Sequence, residues 1–284
     1  MSDLSYPAAV ILGVVEGLTE YLPVSSTGHL TVTEKLLGLS VNDPAVTAYT
    51  ALIQLGAIAA TLIYFWRDIA RLAGAWIGGL TDSARRSHPD YQLAWAVIVG
   101  SMPVALVGFA LRKVIEGPLR SLWVVAAALV LWSLVMVVAE TRHAKLVREE
   151  GERGEGTVSI TDGLIIGLVQ CFSLIPGVSR SGATISAGLF RGIDRVTATR
   201  LSFFLAIPAL TAAGLYETMT TDMSSLGKGQ MGVGIVVAFV VAYASIAWLL
   251  KFVATNTLKA FVVYRVVLGV IIAIALGAGV LSAT

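Results

Sequence analysis

The sequence predicts an all-α membrane protein in which six transmembrane helices and two re-entrant helical hairpins form an inverted internal repeat. Three observations predict it. Of 284 residues, 56% are hydrophobic and only 13% charged, with a mean hydropathy of +0.83, whereas soluble domains carry about 25% charged residues. Six stretches approach the roughly 20 apolar residues needed to cross a hydrocarbon core. Two further segments, broken by polar residues and prolines, resemble each other at an offset of 154 residues.

The first of these segments, about 4 to 39, is apolar at its flanks, but its centre reads "EGLTEYLPVSSTGH" from Glu16 to His29. Backbone that leaves the helix at membrane depth must be covered by protein or line a wet cavity. A hairpin that dips in, turns at Pro23 and the serines, and returns meets that condition. Spans follow at about 45 to 65, 93 to 111 and 121 to 139. The stretch from Glu140 to Gly156 is the most polar in the chain and reads as a solvated cytoplasmic linker, about 140 to 157, with His143 solvated in it and His88 in an earlier polar loop. The second hairpin covers about 158 to 190, and spans at about 201 to 219, 232 to 250 and 260 to 281 complete the chain; the first of these three is the weakest, since it contains Pro208.

The chain is thus one integral membrane domain, with a first repeat over about 1 to 139 and a second over about 158 to 284. Aligning Ile11–Leu30 with Ile165–Thr184 pairs six identical residues in twenty, among them Gly13 with Gly167, Ser25 with Ser179 and Gly28 with Gly182. One hairpin plus three crossings per half inverts the second half relative to the first, an arrangement many transporters share. Placing the hairpins on opposite faces sends thirteen loop cations to one side and five to the other, Lys35, Arg112, Lys113, Arg120 and Lys228. The positive-inside rule makes the richer side cytoplasmic, which leaves both termini outside. No cleavable signal peptide is visible, the single Cys171 excludes an internal disulfide, and a net charge of +2 gives no footing for a nucleic-acid partner. Trp66, Trp76, Trp95 and Trp123 sit near span ends and read as interfacial anchors.

The chemistry-bearing residues collect at the two tips. Glu16 and Glu20 are one helical turn apart, so a helix presents both carboxylates on one face. Ionisable groups at membrane depth mark functional sites, and oxygen ligands suit Mg²⁺ or Ca²⁺. Ser25, Ser26 and Thr27 precede His29, a set that can supply a nucleophile with a general base, although hydroxyls at such positions also serve as ordinary helix caps. In the second tip Arg180 lies between Ser179 and Ser181, with Gly182 and Thr184 beyond, a cradle for phosphate or a structural partner for the two glutamates. Gln54 could line the same pocket, and Gln170 occupies the repeat position of Glu16. Arg265, near the start of the last span, is expected to snorkel to the surface. Bringing the tips together makes a site for phosphate and metal; the same midplane site would also serve a transporter or flippase of a polyprenyl phosphate or another anion.

These motifs resemble those of the undecaprenyl pyrophosphate phosphatase family linked to bacitracin resistance. The resemblance rests on "EGLTEYLPVSSTGH" and "PGVSRSGATIS", with "IQLGAI" at Ile53–Ile58, "VQC" at Val169–Cys171 and "YR" at Tyr264 and Arg265, and it runs through both halves. The one departure noted is Tyr21, where phenylalanine is common. The resemblance implies a bacterial inner-membrane hydrolase that converts a polyprenyl diphosphate to the monophosphate and recycles the lipid carrier for envelope polymers. It also implies a divalent cation, an active site open to the periplasm and a homodimer, with Glu16, Glu20, Ser26, His29 and Arg180 on the functional positions. The expected mechanism has His29 taking the Ser26 proton, or activating water while Ser26 only binds phosphate.

Overall fold

The computed structural model describes residues 4–41, 43–116, 119, 121–220 and 226–283, so Arg120 of the loop-charge count lies outside the described residues. Within them the regular structure is helical, apart from one isolated parallel bridge between Arg153 and Ile193. In chain order the helices are α1 (Tyr6–Thr19), α2 (Ser26–Leu36), α3 (Pro44–Tyr64), α4 (Trp66–Thr81), α5 (Pro89–Ala110), the short α6 (Arg112–Glu116), α7 (Leu122–Glu150), α8 (Ile160–Gln170), α9 (Arg180–Phe190), α10 (Arg195–Thr220), α11 (Lys228–Val253) and α12 (Lys259–Gly277).

Six of these, α3, α5, α7, α10, α11 and α12, are long and apolar enough to cross a membrane, and they coincide with the six stretches read from the sequence. The protein is a multi-pass membrane protein. Helix α4 has no counterpart in that reading. Its apolar residues follow the helical period without filling a membrane-length run: Trp66, Ile77 and Leu80 are exposed while Leu72 is buried.

The polar linker is a correction. Helix α7 continues to Glu150, because Glu140–Glu150 is rich in helix-forming charged residues. Its Glu140 is buried, accepts from Arg195 Nη2 at 2.6 Å and receives the Leu258 backbone N–H at 2.8 Å, and His143 is buried, not solvated. His88 is exposed as expected. Of the four tryptophans, Trp66 and Trp123 are exposed, whereas Trp76 and Trp95 pack edge to face at 5.9 Å.

Helix pairings recur under exchange of the halves. Helix α1 packs on α11 and α8 on α5; α1 pairs with α2 and α8 with α9; α3 meets α10 and α7 meets α12. Close approach requires glycine at matching positions: a Cβ on Gly167 would stand 2.0 Å from Gly100 O, and one on Gly13 2.9 Å from Gly234 O. The two tips share a more specific mark. Ser25 (φ 77°) and Ser179 (φ 75°) are the only non-glycine residues with positive φ among the described residues, and each caps the following helix by accepting an N–H from the residue three further on, Gly28 or Gly182. Two independent turns rarely adopt the same costly backbone at aligned positions.

At the start of α8 the fully buried Asp162 closes a capping box with Ser159 and takes Arg153 Nη2 at 2.6 Å and Arg191 Nε at 2.7 Å. Burial alone would push this carboxyl up, but the donors from Arg153, Ser159 and Arg191 hold it well below the usual carboxylate range. A depressed folded-state value contributes stability that is present above the ordinary carboxylate range, about pH 4, and is lost as pH falls below it. Asp162→Asn is therefore expected to cost about 2–3 kcal/mol. Thermal unfolding at pH 7 reads the loss, and the gap between wild type and variant should narrow on acidification; equal midpoints at pH 7 would refute the assignment.

Candidate active site

The two tips touch. Gly177 N–H donates to Ser25 Oγ at 3.2 Å, and Ser181 Oγ donates to Leu22 O at 3.0 Å. Arg265 fastens both: its Nη1 donates to Pro23 O at 3.2 Å in the first tip and its Nη2 to Gly177 O at 2.9 Å in the second, while Nε reaches Ser133 Oγ on α7 at 3.2 Å. Arg265 has no exposed surface. The expectation that it snorkels is overturned, because buried chain that turns leaves carbonyls unpaired and a guanidinium with five donors satisfies several at once.

On this joint Ser26 opens α2, and its Oγ donates to Glu20 Oε2 at 2.6 Å. The other carboxylate oxygen of Glu20 faces Arg180 Nη2 at 3.3 Å; Arg180 is further held by Ser202 O at 2.9 Å and lies 5.8 Å from the Tyr21 ring centroid. The result is a line of hydroxyl, carboxylate and guanidinium contributed by both halves. Tyr21, the departure noted in the first motif, spends its hydroxyl on Ala57 O at 2.8 Å and so stays out of this line.

A cavity of about 250 Å³ opens beside Ser26, and Glu16, Ser26, Thr27 and Gln54 are among its lining residues. Of the expected phosphate groups, Thr27 and Gln54 thus reach the cavity. Ser25, Ser179, Ser181, Gly182 and Thr184 do not line it: their polar atoms make tip-to-tip and capping bonds, as with Thr184 Oγ1 to Arg180 O at 2.9 Å. Helix capping, the ordinary use of serine at a turn, accounts for Ser25 and Ser179.

The expected pairing of His29 with Ser26 is also corrected. His29 Nδ1 lies 2.7 Å from Ser25 O and Nε2 2.6 Å from the hydroxyl of Tyr264, so both ring nitrogens are engaged elsewhere and the proton acceptor beside Ser26 is Glu20. Sequence reasoning gave Tyr264 no role and missed Ser133. The available signals were Ser133 inside an apolar span and the charge of Arg265, about 9 Å along the helix from Lys259, beyond easy snorkelling.

One oxygen of the two acids in the first tip is left over. Glu16 is buried, and its Oε1 has no hydrogen-bond partner. No cluster of three or more His, Cys, Asp or Glu side chains exists among the described residues, so the protein supplies at most two carboxylates there. One or two carboxylates, together with substrate phosphates and water, are the usual holding groups of Mg²⁺.

The sequence profile described as "Bacitracin resistance protein BacA" matches residues 9–271, nearly the whole chain and both tips. The chain belongs to the BacA family. Among its relatives it is 53% identical to "Undecaprenyl-diphosphatase 3" of Frankia casuarinae over 97% of this chain and 98% of that protein. It is 52% identical to "Undecaprenyl-diphosphatase 1" of Streptomyces avermitilis over 99% of this chain and all of the relative, and 52% identical to "Undecaprenyl-diphosphatase" of Cutibacterium acnes over 93% and 94%. BacA membership therefore covers both halves, and the similarity is not confined to the two motifs.

Proposed function

We infer that this BacA-family chain is an undecaprenyl-diphosphatase, hydrolysing undecaprenyl diphosphate to undecaprenyl phosphate and inorganic phosphate and so returning the lipid carrier to envelope synthesis. Full-length identity to proteins of that name supports the activity, and the observation that carries the site is the 2.6 Å hydrogen bond from Ser26 to Glu20, backed by Arg180.

In the proposed reaction the Ser26 hydroxyl attacks the terminal phosphorus, giving its proton to Glu20 as the bond from phosphorus to the bridging oxygen breaks and undecaprenyl phosphate leaves. Water then attacks the phosphoserine; the bond to Ser26 breaks, the oxygen recovers the proton held by Glu20, and phosphate departs. Arg180 neutralises charge building on the transferred group, and Thr27 and Gln54 orient its oxygens from the cavity wall. Glu16, with Glu20, would hold a divalent cation, Mg²⁺ or Ca²⁺, which when bound supplies charge neutralisation at the diphosphate. The polyprenyl tail stays in the bilayer, so the head group enters laterally between helices. The proposed setting is the bacterial inner membrane, with the cavity and both termini on the periplasmic side and the chain assembled as a homodimer.

Purified protein in detergent, with no second compartment, is expected to release inorganic phosphate from farnesyl diphosphate and to lose that activity on addition of a chelator. Tight binding without any phosphate release would favour a transporter instead. Release unaffected by chelator would remove the cation from the proposal.

A further inference from the structure

Helix α4 presents three faces, and each has a different neighbour. It starts at Trp66, just past the end of span α3 at Tyr64, and Phe65 between them is buried against the rings of Tyr64, Phe203 and Phe204, which fixes the corner. One face packs on the opening turns of span α5: Trp76 meets Trp95 at 5.9 Å, and a Cβ on Gly79 would stand 2.3 Å from the Tyr91 ring. A second face is ionic. Asp68 takes Arg200 Nη2 at 2.8 Å, and Arg71 donates to Glu155 at 2.7 Å and to Asp90. Asp90 and Arg200 lie in the first two turns of α5 and α10, and Glu155 follows the end of α7, so this face looks toward the polar ends of three spans.

The third face is apolar and open. Trp66, Ala70, Ala73, Ile77 and Leu80 recur at steps of four, three, four and three, which keeps them within about 80° of the helix circumference. All five are exposed, with Trp66, Ile77 and Leu80 at 59%, 58% and 47%. Asp68 and Arg71 stand about 140–200° round from Trp66, so the open apolar face points away from the ionic ends of the spans. It continues the exposed Leu62 and Ile63 at the end of α3, a face that lipid covers. Unpaired positive charge borders it. Arg67 is exposed with its guanidinium 5.5 Å from the Trp66 ring centroid, and Arg86, exposed in the turn after α4, gives its Nε to Gly79 O at 3.0 Å. Among the described residues neither has a carboxylate partner, whereas Arg85 pairs with Asp82. A cation in a first turn opposes the helix dipole, so Arg67 does not serve α4 itself.

We propose that the Trp66–Leu80 face of α4 lies in the surface of the bilayer that carries the protein, and that Arg67 and Arg86 bind anionic phospholipid headgroups there. A tryptophan at the end of a span, an apolar face and arginines along its border are the composition of an interfacial helix, whose apolar side sinks about 5–10 Å into the headgroup boundary. The inference does not depend on the diphosphatase reading and needs only that the spans cross a membrane.

The test uses the full chain in nanodiscs of phosphatidylcholine with and without phosphatidylglycerol. Cys171→Ser removes the single native thiol. On that background Ile77→Cys, Ser87→Cys and Leu131→Cys each place one nitroxide, respectively on the apolar face, on the exposed turn after α4 and on the exposed flank of span α7. The Ile77 label should meet dissolved oxygen more, and a water-soluble nickel chelate less, than the Ser87 label does, at a depth short of the Leu131 label. Native mass spectrometry of protein released from the mixed discs should find phosphatidylglycerol retained in preference to phosphatidylcholine. Arg67→Gln and Arg86→Gln should each lower that preference about fivefold. Leu80→Cys repeats the depth measurement should Ile77→Cys fail to fold. A label at Ile77 as open to the nickel chelate as that at Ser87 would overturn the proposal. So would a label shielded from both reagents and broadened by a second label, which would put another copy of the chain on this face. A headgroup preference that is absent, or unchanged in both arginine variants, would overturn it equally.

Discussion

Replacing Glu20 by glutamine is expected to lower the rate of phosphate release about a thousandfold with the fold intact. Glutamine has nearly the same shape, so the buried site keeps its packing, but the amide cannot take the Ser26 proton. General-base assistance contributes about 10²–10⁴ in rate, and Glu20 is the acceptor 2.6 Å from the Ser26 hydroxyl. The substitution also leaves Arg180, 3.3 Å away, without its carboxylate partner. A guanidinium freed in this way should hold substrate or product more firmly, so KM should fall or stay level while kcat collapses. Glu20→Asp keeps the charge, withdraws it from Ser26 by one methylene, and should fall between. A thermal unfolding midpoint close to wild type is the control for folding. Retention of more than a tenth of wild-type kcat in Glu20→Gln would remove Glu20 as the base. Acid quenching during turnover should trap phosphate on Ser26 in the wild type, and Ser26→Ala should trap none; full activity in Ser26→Ala would leave Ser26 as a binding group only.

Much of this architecture was legible because the bilayer constrains sequence so strongly. Span length and hydropathy located all six crossings, and the offset repeat anticipated a structural match as detailed as the positive φ shared by Ser25 and Ser179. The juxtaposition of Glu20 with Arg180 was legible too, since ionisable groups at two turning points in one membrane domain need each other or a ligand. What escaped was decided by side-chain reach across the chain. Ser25, Ser26 and Thr27 are neighbours in sequence, and no spacing says that Ser25 caps α2 while Ser26 and Thr27 face the cavity; a one-residue difference of helical phase separates scaffold from chemistry. The sequence pairs His29 with the hydroxyl of Ser26, yet its Nε2 meets Tyr264. Helix α4 and the extension of α7 were missed for a third reason: amphipathic and charged helices carry none of the hydropathy signal that marks a span.

Arg265→Met is expected to destabilise the protein by about 3–5 kcal/mol and to abolish activity, the largest stability effect of any single change considered. Methionine fills a similar volume without a donor, so Pro23 O, Gly177 O and Ser133 Oγ lose their guanidinium partner in a region closed to water. Each buried acceptor left unpaired costs about 1–3 kcal/mol. Removing a cation that merely snorkelled would shift stability by no more than about 0.5 kcal/mol, so unfolding midpoints separate the two pictures cleanly. Arg265→Lys keeps the charge but offers a shorter, unforked donor set; it should recover part of the stability and little of the rate, because one ammonium cannot bridge both tips in the same geometry. The charge has a second consequence. The acceptors bonded to Arg265 are neutral oxygens, so its positive charge is not cancelled by a carboxylate bonded to it and acts on whatever anion settles at the joint between the tips. Any folded fraction of Arg265→Met should therefore bind inorganic phosphate more weakly than Arg265→Lys does, measured by direct titration. Equal phosphate affinity in the two variants would confine Arg265 to its mechanical role of fastening the tips.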